Sequence, residues 1–263
     1  VVRGVDRAVR DLCQYFRMAR PGSHGTLLTV APRATGTVDE WVAAARNGER
    51  VGVAMAQVRV RGLDQAREVV AGLREQTGVV AQVAADADRL RLLDAAPDSL
   101  VCPLDEPWDA LVELHGAMRE RGVAPEYEVT AAGQLEVLRR LLDEHGPTAG
   151  GRVHVGLVLG APGGLAGDAE TLVEVLRLLP EGASFAAAGI GAATIPVMLA
   201  ALAVGGHLRV GTADTTSYAE GQPVRDDVQL VARAAGLAKI AQRPPLPVAE
   251  VRELLGVRGP VRV

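Results

Sequence analysis

Arg209 lies in a short apolar run, HLRVGT, and Asp214 follows it in TADTT. A guanidinium held in an apolar strand can anchor a carboxylate or phosphate. An aspartate beside it is a candidate base. The bland alternative is that the two satisfy each other. Glu126 and Glu128 alternate in APEYEVT, so a strand there puts both carboxylates on one face. An unpaired buried carboxylate is costly. The pair therefore marks either a polar pocket, with a glutamate as acid, base or anchor, or a structural bridge to an arginine.

Weaker signals surround these. Gln57 and Arg59 close the run VGVAMAQVR and are candidate substrate contacts. Thr212 and Thr215 flank Asp214. Gly163 and Gly164, in GAPGG, allow backbone to approach a ligand or simply turn. Gly189 and Gly191 precede a helical run, where backbone N–H groups can bind phosphate.

Other chemistries fit poorly. The five histidines (His24, His115, His145, His154, His207) form no HxH, HxxxH or HExxH. His115 and His145 fall on helical runs and are expected to be solvated or capping. His154 and His207 each begin a strand, away from the end where barrel enzymes work. All but one of the 28 basic residues are arginine; Lys239, on the last long helical run, is expected to be solvated. That argues against Schiff-base chemistry. Cys13 and Cys102 make no CxxC, so a reducing, cytoplasmic setting is expected.

The elements that must position these residues alternate. Apolar, β-branched runs fall at 26–31, 51–60, 78–84, 99–104, 124–130, 153–160, 184–190 and 207–212. Helical patterns separate them, at 38–47, 63–76, 86–95, 107–121, 131–145, 167–179 and 192–204, with further helices at 222–242 and 248–255. Thr37 with Glu40 is a capping-box pattern. Strict alternation implies parallel strands. Eight strands in 263 residues predict an α/β fold, a (β/α)8 TIM barrel over 26–263, with an N-terminal helical extension over 1–25. The runner-up, a Rossmann-like sheet, lacks GxGxxG after its first strand.

Composition narrows the partners. A net charge of −4 gives no reason to expect nucleic acid. The stretch from Gly182 to Gly206 carries no charge, but its glycines and Pro196 divide it into a buried strand and a buried helix, so no membrane span is expected. A small anionic substrate fits best.

Four ordered motifs then carry a resemblance: PEYEV with AAG, LVLGAPGGLAG, AGIGAATIP, and GGHLRVGTADTTSYAEG. With the tail DDVQLVARAAGLAKIAQRPPLPVAEVRELLG, they resemble the β-keto acid cleavage enzymes. The similarity covers about residues 26–256 and is strong from 123 onward. It implies an oligomeric (β/α)8 barrel, active in amino acid catabolism, that converts a β-keto acid and acetyl-CoA into acetoacetate and a new CoA thioester. It implies that Arg209 and Asp214 take part in catalysis, and that one of Glu126 or Glu128 is the family's strand glutamate. It also implies zinc, but the three ligand positions hold Met55, Gln57 and Ala213. Met and Gln do not replace imidazoles on zinc. The expectation is therefore no metal and no cofactor beyond acetyl-CoA as a cosubstrate. The chemistry is then altered. The alternatives are a non-catalytic or regulatory ligand-binding barrel, and a metal-independent barrel enzyme acting on a small anion.

Overall fold

The structure, a computed structural model, describes residues 25–148 and 150–257. The expected N-terminal helical extension, with Cys13 and His24, lies outside them. The closed parallel barrel is present: β1 to β8 pair in chain order, and β8 returns to β1. The strands are β1 (Leu28–Val30), β2 (Met55–Arg59), β3 (Val80–Ala84), β4 (Ser99–Pro103), β5 (Ala124–Val129), β6 (His154–Leu159), β7 (Ser184–Gly189) and β8 (His207–Val210). The helices between them are α1 (Val38–Glu49), α2 (Leu63–Gln76), α3 (Arg89–Leu92), α4 (Trp108–Arg121), α5 (Gln134–His145), α6 (Ala169–Leu176) and α7 (Thr194–Ala203). After the barrel come α8 (Asp227–Ile240) and α9 (Val248–Leu255).

Several expected elements are shorter. Among them, the strand expected over 51–60 spans Met55–Arg59, and the helix expected over 167–179 spans Ala169–Leu176. Two others are replaced in part by different structure. The helix expected over 86–95 is one turn, α3, followed by a 3-10 turn at Leu93–Ala95. The helix expected from 222 begins at Asp227, where the Asp226 side chain accepts from Gln229 N. A small hairpin, β9 (Ser217–Ala219) and β10 (Gln222–Pro223), takes the preceding residues. Gly221, with φ +69, supplies the left-handed backbone of its turn.

Strand alternation splits the side chains in two. Leu28, Val58, Val83, Tyr127, Leu157 and Leu208 point outward into the main apolar layer beneath the helices. Each such buried aliphatic side chain contributes roughly 1.5–3 kcal/mol. The inward set is stacked by depth. Leu27, Met55, Val80 and Ala124 form an apolar floor, closed from below by Leu246, Val251 and Leu255. Above the floor is a polar layer, and above that a charged one.

Local devices fix the rim. Thr37 and Glu40 form the expected capping box, Glu40 N to Thr37 Oγ1 at 3.3 Å and Thr37 N to Glu40 Oε2 at 2.8 Å. Trp41 Nε1 donates to Arg33 O at 3.0 Å, so α1 ties down the loop after β1. Gly211 lets that loop meet the loop after β8: a Cβ there would lie 1.9 Å from Ala31 O. Ala213 N then bonds Ala31 O at 3.1 Å.

Candidate active site at the carboxyl end of the barrel

A cavity of about 140 Å³ opens at the carboxyl ends of the strands. Its polar lining is Gln57, Arg59, Arg209 and Asp214. Its remaining wall is small and apolar: Ala31, Ala34, Ala84 and Ala213, with Pro32 and Ile190. The capped α1 loop and the Gly211 contact place Ala31 and Ala213 there.

Arg209 dominates the charge pattern. Its Nη2 donates to Asp214 Oδ1 at 2.8 Å, and its Nη1 to Glu128 Oε2 at 3.3 Å. Burial pulls the Arg209 pKa down, but the charges of Asp214, Glu128 and Glu126 carry it above the ordinary arginine value. Asp214 is buried, and that burial pushes its pKa up; Arg209 pulls it part of the way back, and Glu126 opposes Arg209. The net effect is a carboxylate more basic than usual, which suits a general base.

Glu126 occupies the layer below. Gln57 Nε2 donates to Glu126 Oε1 at 3.0 Å and to Gln82 Oε1 at 2.8 Å, and Gln82 Nε2 continues to Ser99 Oγ at 3.0 Å. His154 Nε2 lies 3.5 Å from Glu126 Oε2. Burial would raise the Glu126 pKa, but His154, Arg209 and the neighbouring glutamine amide hold it below its ordinary value. Gly156, next to His154 on the same inward face, leaves room for this carboxylate: a Cβ there would meet Glu126 Oε1 at 2.7 Å. His207 Nδ1 accepts from Leu27 N at 3.0 Å, and burial lowers its pKa well below the usual value, so its ring is neutral.

The sequence-derived candidates therefore divide. Arg209, Asp214, Glu128, Glu126, Gln57 and Arg59 converge on the cavity or the layer beneath it. Gly163, Gly164, Gly189 and Gly191 do not line it. Gly164 N bonds Ala161 O within its own turn, and Gly191 N bonds Asp214 O at 2.8 Å, which fixes the Asp214 loop. Thr212 binds Asp227, N to Oδ1 at 2.6 Å, and thereby ties the loop after β8 to α8. Thr215 Oγ1 accepts from Ser217 N at 3.1 Å. His115 is not solvated: it is 1% exposed, with Nδ1 2.9 Å from the Tyr127 hydroxyl and Nε2 3.0 Å from Gly146 O. Lys239 is exposed, as expected. Sequence reasoning missed His154, Gln82, Asp86 and Asp227. A larger, more open cleft of about 480 Å³, lined by Tyr218, Arg225 and Arg233 among others, shares no residue with the central cavity.

The residues where the resemblance places the family's zinc ligands do not fit the ion. Met55 is wholly buried in the apolar floor, Ala213 has no donor atom, and the Gln57 amide nitrogen is spent on Gln82 and Glu126.

The chain is a closed eight-stranded parallel barrel with a buried arginine–carboxylate cluster at the carboxyl ends of its strands, the end where barrel enzymes carry their sites. Comparison with known proteins makes this specific. A family model, beta-keto acid cleavage enzyme, matches residues 32–257, and the chain belongs to that family. It is 30% identical to 3-keto-5-aminohexanoate cleavage enzyme of Acetoanaerobium sticklandii over 56% of this chain, a match that spans about half (53%) of that enzyme's length. It is 26% identical to 3-oxoadipate:acetyl-CoA acetyltransferase of Cupriavidus necator over 84% of this chain and 87% of that protein. Among solved structures, apo ObcA superposes with a TM-score of 0.68 at 14% identity, covering 84% of this chain and 65% of that one, a likeness of fold. Among the described residues, no helix is long and apolar enough to cross a membrane.

Proposed function

We propose that this chain acts on a β-keto acid with acetyl-CoA as cosubstrate, giving acetoacetate and a new CoA thioester, without zinc at the family position. The buried Arg209–Asp214 pair at the cavity carries this reading. Asp214, made basic by burial, removes a proton from the carbon between the keto and carboxylate groups. The resulting carbanion forms a bond to the acetyl carbonyl carbon. CoA sulfur then leaves the acetyl carbon and bonds the substrate's keto carbon. The bond between the keto carbon and the deprotonated carbon breaks next, releasing the new thioester, and the proton held by Asp214 returns to the deprotonated carbon to give acetoacetate. Arg209 holds Asp214 in place and offers positive charge to developing oxyanions. Its two bound carboxylates moderate that charge.

The reading extends to a cytoplasmic, homo-oligomeric enzyme of amino acid catabolism. The buried free thiol of Cys102, pushed up to about 12 by burial, fits a reducing compartment. The test is purified protein with acetyl-labelled acetyl-CoA and a panel of β-keto acids, followed by detection of labelled acetoacetate. A second reading, a ligand-binding barrel without turnover, is favoured by the metal-free donor set. It predicts binding of the same acids with no labelled product.

A further inference from the structure

Arg209 is already engaged by two carboxylates, Asp214 and Glu128. The other guanidinium on the cavity, Arg59, has a different partner. Its Nη1 donates to Asp86, on the loop after β3. The Arg59 side chain is 41% exposed and that of Asp86 is 88% exposed. Asp86 itself does not line the cavity. An ion pair so exposed is weak and exchangeable. Arg59 thus faces the cavity with one side chain and binds, from outside, the same chemical group a keto acid would bring.

We propose that the Asp86 carboxylate is a built-in competitor for Arg59, occupying the seat that a ligand carboxylate must take. This rests on the reading above that the ligand is a small carboxylate. Binding then exchanges one carboxylate for another on Arg59. Arg59, once released, favours ligands that place a carboxylate at the rim while their uncharged end enters the alanine-lined cavity. Asp86 lowers affinity for every such acid and leaves uncharged analogues unaffected.

The test is calorimetric titration of the full chain with acetoacetate, and with acetylacetone as its uncharged counterpart. Asp86→Asn is expected to tighten acetoacetate binding about two- to fivefold, the scale of an exposed ion pair, with acetylacetone unchanged. Arg59→Met is expected to remove the preference for acetoacetate. Because Asp86 is exposed, an unaltered melting temperature checks that the Asp86 variant is folded. Unchanged or weaker acetoacetate binding by Asp86→Asn overturns the proposal. So does an equal gain for acetylacetone, or no acetoacetate binding by any variant. Failure of turnover with these binding effects intact would overturn only the reaction.

Discussion

Glu126 and His154 face each other inside the barrel, Oε2 of one 3.5 Å from Nε2 of the other, with side chains only 3% and 2% exposed. They come from adjacent strands, and the β5–β6 register sets His154 beside Glu126. The His154 Nδ1 contacts Ser184 Oγ at 2.8 Å, which anchors the ring on the side away from Glu126. This pair supports the floor of the cavity through Gln57.

Replacing His154 by Asn leaves a buried carboxylate short of a partner. The expected loss is roughly 3 kcal/mol of stability, a fall of about 6–12 °C in melting temperature for a domain of this size. Glu126→Gln removes the charge and should cost less. The pH dependence has a defined sign. The folded Glu126 pKa lies below its ordinary 4.5, so its contribution is present above that pH and is lost as pH falls through the folded value. Denaturant melts of wild type and Glu126→Gln should converge below pH 4.5. Curves that stay parallel there would contradict the pairing.

Asp214 behaves in the opposite sense. Its folded pKa is raised above 3.8, so folding favours its protonated form, and that advantage fades as pH rises from 3.8 through the folded value. As a base it must be ionised. The acid limb of the kcat/KM profile is therefore expected above the ordinary aspartate value. Asp214→Asn should lower kcat by about a hundredfold or more. The profile of labelled acetoacetate formation against pH checks both points. A limb at or below 3.8 would remove Asp214 from the role.

Met55 discriminates a floor residue from a ligand. Met55→Leu preserves volume in the apolar floor and should cost less than about 1.5 kcal/mol. Met55→Ala opens a cavity and should cost roughly 2–5 kcal/mol. Neither change should alter metal content. Elemental analysis of wild type is expected to find far less than one zinc per chain, and a chelator should leave the melting temperature unchanged. Stoichiometric zinc lost in Met55→Leu would refute the floor assignment.

The barrel was legible because its signals are local. Alternating runs, the Thr37–Glu40 cap and the spacing of Glu126 and Glu128 each follow from a short stretch of chain. Arg209 and Asp214 were legible for the same reason, five positions apart around one strand end. His154 was not, because its importance lies in stagger. Barrel strands are sheared, so the first residue of β6 is level with the third of β5. A histidine that opens a strand thereby touches the middle of the interior. Asp86 and Asp227 were hidden for a related reason: each is defined by a side chain from a distant segment, Arg59 and Thr212 respectively.

Gly156 tests this interior geometry most directly. It faces Glu128 in register and lies on the inward side of β6, where every neighbouring position carries a side chain except this one. A methyl group there would come within 2.7 Å of Glu126 Oε1 and 3.0 Å of its carboxyl carbon. Glu126 cannot swing freely, since Gln57 and His154 bracket it. Gly156→Ala is therefore expected to lose roughly 1–3 kcal/mol through overpacking, although alanine normally stabilises a strand relative to glycine. The double variant Gly156→Ala with Glu126→Ala removes the clash. Its cost should fall well short of the sum of the two single changes, because the residues are in contact. Thermal melts of the four proteins measure this coupling, and additive losses would show that Glu126 does not occupy the space Gly156 leaves.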